Sequence, residues 1–140
     1  MKNIRWLAVI LLSLGGSTGW THGEDKPGPH GGFIRMPGAF HTEVLPEAKN
    51  SLKVYLLDMQ WKNPTTEKSS LVVTLTKPAV KADCTTVENF YYCEFPESVD
   101  LSQKADLKVL AKRDGQQGQS VTYPLPLKHD IPDDPHKGHH

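Results

Sequence analysis

The chain is poorest in the features that most often announce a function. Its 140 residues contain only two cysteines, its aromatic content is 8%, and its formal net charge is zero. That charge stays small if Lys2 and Arg5 are removed, so the sequence does not have the basic character of a nucleic-acid binder. There is no G-x-S-x-G, no H-E-x-x-H, no P-loop and no Rossmann glycine pattern. No serine or cysteine has a base close by in sequence, and the expectation is a protein that is not an enzyme. No apolar run reaches the roughly 20 residues a membrane-spanning helix needs. Convincing 3.6-residue periodicity is missing throughout. Histidine is missing too, from the whole stretch between His41 and His129.

What is present is concentrated at the two ends. The opening "MKNIRWLAVILLSLGG" has the layout of a secretory signal. Lys2 and Arg5 form a positive start, Trp6 to Leu14 an apolar stretch, and small residues follow. Residues 1–21 are therefore expected to be a signal peptide, with cleavage between about Gly19 and Gly23. No cysteine near that point offers a lipid anchor. The expected product is periplasmic or secreted, with no membrane span after cleavage.

In an oxidising compartment the two cysteines, Cys84 and Cys93, are expected to pair. The loop between them, "TTVENFYY", fits a hairpin clamped across its strands, with Cα atoms about 4.4–6.8 Å apart. Closing so short a loop stabilises by roughly 2–3 kcal/mol in the chain-entropy model. The alternating aromatics of "NFYYCEF" are expected to divide between covering the disulfide and facing solvent.

Residues 22–32, "HGEDKPGPHGG", read as a flexible linker, because glycine and proline deny them regular structure. Residues 33–127 then read as strands. "GGFIRM" and "FHTEVLP" flank a turn at "PGA". In "SLKVYLLD" Leu52, Val54 and Leu56 share a face, and in "SLVVTLT" Leu71, Val73 and Leu75 do. "AVKADC" and "NFYYCEF" form the clamped hairpin. "ADLKVLAKRDGQQGQSVTYPL" gives two more strands about a glycine-rich turn, with Leu107 and Val109 pointing one way. "PESVDLSQKA" is either a single helical turn or an irregular crossover. The predicted fold is all-β, an antiparallel β-sandwich of Ig-like or cupredoxin-like type with seven to eight short strands. Residues 128–140 are expected to be a disordered, histidine-rich tail.

Neutral imidazole suits copper, zinc and nickel, and carboxylates or a thioether can complete a coordination shell. The tail offers His129, His136, His139 and His140, interspersed with Asp130, Asp133 and Asp134. Cleavage after Thr21 would give His22 a free amine beside its imidazole, a chelating pair. His30 sits in "GPHGG", exposed by its glycines.

If Met36 and Phe40 flank a three-residue turn, Arg35 faces His41. Phe40, Thr42 and Val44 then share one face with Ile34 and Met36, while His41 and Glu43 occupy the other. On that face His41 and Glu43 either ligate a metal or, for Glu43, pair with Arg35. Met36 is expected in the core, together with Met59 or its neighbour Trp61.

The order "HGEDKPGPHGG", short strand, "FHTEV", "LKVYLLDM" resembles small periplasmic proteins and adaptor subunits associated with heavy-metal efflux in Gram-negative bacteria, in which G-P-H-G-G precedes a small β-domain. The resemblance covers roughly Gly28 to Met59. It implies exported metal handling with His30 and His41 as the matching positions. The long helical hairpin and lipoyl segments of an adaptor are absent, so the chain is not the adaptor. The methionine-rich runs of many periplasmic copper carriers are absent too, which points away from Cu(I) transport.

The expected function is buffering copper or zinc, or delivering it to a metal-efflux complex or another envelope protein. The rival expectation is a structural or interaction module docking through an edge strand, with incidental histidines.

Overall fold

The computed structural model describes residues 26–129. The expected signal peptide and most of the expected tail lie outside these residues. Ten strands form two antiparallel sheets: Phe33–Gly38 (β1), Phe40–Ala48 (β2), Ser51–Leu57 (β3), Ser70–Thr76 (β4), Ala79–Lys81 (β5), Asp83–Val87 (β6), Phe90–Glu94 (β7), Ala105–Arg113 (β8), Gln116–Gln117 (β9) and Val121–Leu125 (β10). One sheet runs β1-β2-β3-β7-β6; the other runs β10-β8-β4-β5, with β9 paired to β8. The chain is thus a β-sandwich, with no helix among the described residues. The strands beyond the expected seven or eight are accounted for by β5, with three residues, and β9, with two. "PESVDLSQKA" is an irregular crossover of turns that carries Leu101 to the core edge.

The core follows the period-2 pattern. Leu52, Val54 and Leu56 from β3 meet Val73 and Leu75 from β4, Leu107 and Val109 from β8, and Tyr123 from β10. Each sheet contributes alternate residues, as in a sandwich whose faces are half buried. Tyr123 adds a polar tie between the sheets. Its hydroxyl lies 2.7 Å from the Thr42 hydroxyl and donates to the Thr42 carbonyl at 3.2 Å.

"AVKADC" is split between the sheets. β5 pairs with β4, and β6 pairs with β7. Ala82 is the buried corner between them, its N–H bonded to the Val73 carbonyl. The clamped hairpin is therefore β6–β7 alone. Cys84 and Cys93 face one another in register and form a disulfide. Their Cα atoms are 4.0 Å apart, closer than expected. The aromatics alternate in burial: Tyr91 and Phe95 are buried, and Phe90 and Tyr92, expected at the surface, are half-buried.

The first hairpin departs from its expected register. Arg35 pairs with Thr42, not His41, and Ile34 pairs with Glu43, with an irregularity before Gly38↔Phe40. A one-residue slip exchanges the faces of a strand. Phe40, Thr42 and Val44 do face the core, but Ile34 and Met36 lie on the outer face with His41 and Glu43. Met36, expected in the core, is 48% exposed; Met59 and Trp61 are 43% and 36% exposed.

A second small buried layer

The outer face of β1–β3 is not a solvated sheet surface. Ile34, His41, Glu43 and Leu57 all lie there and are all buried. Two irregular segments cover them. One is the described part of the expected linker, residues 26–32. It forms a turn, with Gly31 N–H bonded to the Gly28 carbonyl and Gly28 N–H to the Gly32 carbonyl, both at 2.9 Å. Gly31 has φ +79°, which a side chain would resist, and a Cβ on Gly28 would collide with the Glu43 carboxylate. The glycines expected to loosen this segment instead let it seat against β2.

The other cover is the turn after β3. Asp58 organises it, accepting the N–H groups of Gln60 and Lys62 at 2.9 Å each and the Asn63 amide at 2.8 Å. Those N–H donors, Lys62 first, hold the Asp58 carboxyl below the usual carboxylate range, though burial opposes them. Arg113 pins the turn from the second sheet, donating to the carbonyls of Leu56 and Asn63.

Candidate metal-binding junction

Glu43 is the centre of the first covered site. Its side chain is fully buried, and a buried carboxylate needs strong donors. One oxygen, Oε2, accepts the backbone N–H groups of His30 and Gly32 at 2.8 and 2.9 Å. The other, Oε1, lies 2.6 Å from Nδ1 of His30. Glu43 does not pair with Arg35. That guanidinium donates to the carbonyls of Ile34 and Thr122 and lies over the Tyr123 ring.

The carboxylate sets the chemistry of His30. A carboxylate only accepts, so Nδ1 carries the proton and donates, and in the neutral ring the lone pair is on Nε2. The ring is stacked on Tyr55, with centroids 3.8 Å apart and planes within 9°. Tyr55 pairs with Glu43 in the sheet and leans on Phe90. The His30 side chain keeps 36% exposure. An imidazole oriented by a buried carboxylate, with its second nitrogen turned outward, is the arrangement that raises ligand basicity at metal sites.

The other end of the described chain comes to the same place. His129 stacks on Phe33, with centroids 3.9 Å apart and planes within 5°. Its Nε2 lies 3.4 Å from the carbonyl of Gly31, the neighbour of His30. The two ends of the described residues thus meet at the "GPHGG" turn.

Of the residues predicted from sequence, Glu43 and His30 are in contact here, and His129 reaches the carbonyl of Gly31, the residue after His30. Glu43 serves as the brace rather than a free ligand, since both its oxygens are taken. His41 is two residues along the same face and belongs to a different contact: its ring stacks on Trp61 and its Nδ1 lies 3.0 Å from the Asp58 carbonyl. His22, His136, His139 and His140 lie outside the described residues. Among the described residues no three His, Cys, Asp or Glu side chains converge on one point. The ring platforms Tyr55, Phe33 and Trp61 were not singled out as site residues from sequence. Strand alternation placed Tyr55 opposite the core face, and nothing local indicated that the outer face would be covered. Beside the turn runs a groove of about 490 Å³ lined by Lys26, Pro27, Gly28, Pro29, Ile34 and Trp61. Comparison with family models, with curated proteins and with solved structures finds no match to this chain.

Proposed function

We propose that the protein is an exported binder of a transition-metal ion, copper or zinc, that holds the ion at the junction of its two ends. The observation that carries this reading is the 2.6 Å contact between Nδ1 of His30 and the buried Glu43. It fixes the ring through Nδ1 and leaves Nε2 as the nitrogen for an ion. His129, anchored beside Gly31, is the second donor, and the histidines that follow it in sequence are available to complete the shell. The Irving–Williams order favours Cu(II) over Zn(II) at such nitrogen sites. The Cys84–Cys93 disulfide suits an oxidising compartment, and the signal-like start suits export. In this reading the protein buffers the ion or passes it to an efflux complex. A site with few rigid ligands can yield the ion one ligand at a time.

The competing reading is an envelope interaction module. The feature that favours it is β6, an edge strand with Thr85, Thr86 and Val87 exposed. Calorimetric titration of Cu(II) and Zn(II) into the protein and its His30→Ala and His129→Ala variants separates the two. Each substitution should weaken binding by about tenfold or more, and the double variant by more than either alone. Circular dichroism should be unchanged. Equal affinity in all four proteins would refute the junction and favour the interaction module.

A further inference from the structure

Among the described residues four strands end the two sheets: β1 and β6 in one, β10 and β5 in the other. An edge strand offers its outer N–H and C=O groups to any second strand, and folds blunt such edges with proline, bulges, charge or shortness. Three of the four are blunted here. β1 contains Pro37 and a register irregularity between Arg35 and Gly38. It also faces β10: the Pro37 carbonyl accepts from the Gln119 N–H, and the Arg35 guanidinium donates to the Thr122 carbonyl. β10 contains Pro124. β5 has three residues, follows Pro78 and ends in Lys81.

β6 lacks these devices along its length. It has five residues and no proline, and it pairs with β7 in unbroken register from Asp83↔Glu94 to Val87↔Phe90. Its one charged residue, Asp83, stands at its first position. Thr85, Thr86 and Val87 are exposed. The Cys84–Cys93 disulfide ties the strand to β7. The edge is therefore ordered before any partner arrives, and little further ordering entropy opposes pairing.

We propose that β6 pairs antiparallel with β6 of a second copy of this chain, about a twofold axis at Thr85. The strand is complementary to itself in that register. Thr85 faces its own copy, Cys84 faces Thr86, and Asp83 faces Val87, so the whole strand is paired and no like charges are opposed. An axis at Asp83 would set two aspartates against each other, and any other axis leaves part of the strand unpaired. Threonine pairs across strands are favourable, and a closed twofold contact is the commonest form of homodimer. Val87, which is 40% exposed, gains cover from the added strand. A strand pair this short is small beside the roughly 1,200–2,000 Å² of a stable interface, so the dimer is weak and reversible. This names a partner for the edge on which the interaction reading rests, and it uses no group of the metal junction.

Sedimentation of the exported protein over a concentration series tests the pairing, with a chelator present so that no ion bridges two copies. The mass should rise from one copy toward two. Thr85→Lys and Thr85→Glu each set like charges against each other at the axis and should weaken self-association by about fivefold or more. An equal mixture of the two variants sets lysine against glutamate and should associate again. Thr85 is exposed, so both variants should keep the circular dichroism of the parent. Neither substitution touches the junction, so the titrations at His30 are read independently. The proposal would be overturned by a single copy at every concentration up to about 1 mM. It would also be overturned by undiminished association of either variant alone, or by a mixture that associates no better than its components.

Discussion

Glu43→Gln is the most informative single substitution, because it keeps the shape of the buried brace and reverses one proton. In the parent the two carboxylate oxygens receive three N–H donors, two from the backbone and one from the His30 ring. In the glutamine variant the amide oxygen takes the backbone pair. The amide NH₂ then faces Nδ1 of His30 and must donate to it. The ring answers by moving its proton to Nε2, the nitrogen proposed to bind metal.

Each bond falls from the charge-assisted range of about 1.5–3 kcal/mol to the neutral range of about 0.5–1.5 kcal/mol. The neutral amide also escapes the cost of burying a carboxylate, which offsets part of that loss. The net destabilisation should be about 1–2 kcal/mol, or roughly 5–10 °C in Tm for a domain of this size. The fold should survive while metal affinity falls about 10- to 100-fold. Long-range ¹H–¹⁵N spectra of His30 report the tautomer directly, and calorimetry reports the affinity. A variant that shows the exchanged tautomer and binds Cu(II) as well as the parent would refute the role given to Nε2. A variant with the parent tautomer would refute the role given to Glu43.

Other outcomes follow from the same geometry. Mass spectrometry of the exported protein should find no free thiol, and Cys84→Ser with Cys93→Ser should cost roughly 2–3 kcal/mol in chemical denaturation; an undiminished midpoint would remove the clamp from the account. Tyr123→Phe, which strips the inter-sheet bonds to Thr42, should cost about 1–2 kcal/mol, whereas a neutral effect would mean the hydroxyls find other partners. The Asp58 carboxyl titrates below its ordinary range, so its bracing is present above the unfolded pKa and fades as pH falls through the folded one. With Trp6→Phe and Trp20→Phe leaving Trp61 as the sole indole, the emission change from loss of the turn should come below about pH 4. Asp58→Ala should show the acid spectrum already at neutral pH, and a parent-like spectrum there would show that the turn does not depend on this carboxylate.

Much of the sandwich was legible in the chain. Leu52, Val54 and Leu56, then Val73 and Leu75, then Leu107 and Val109 alternate with polar neighbours, and a period of two can bury only one face of a strand. Two cysteines separated by a hairpin-length loop sufficed to anticipate their bond. The glycine and proline content of "GPHGG" predicted a flexible linker, whereas the segment forms a turn bonded to Glu43. Composition reported conformational freedom, but how that freedom is used depends on what lies beneath, and here a buried carboxylate that needs donors gathers the turn around itself.

Tertiary structure alone decided the rest. A slip of one residue in the β1–β2 register sent Met36 outward and set Ile34 beside Glu43, and no local preference encodes such a slip when glycine and proline make the turn permissive. Burial of the outer face was equally beyond sequence pattern, because it is imposed by two irregular segments, one directly before β1 and one directly after β3, that fold back over the sheet. Those segments place Tyr55 under His30, Trp61 over His41 and His129 next to Gly31. Each is a contact between residues well apart in sequence, and its energy exists only once the sheets have brought the partners together.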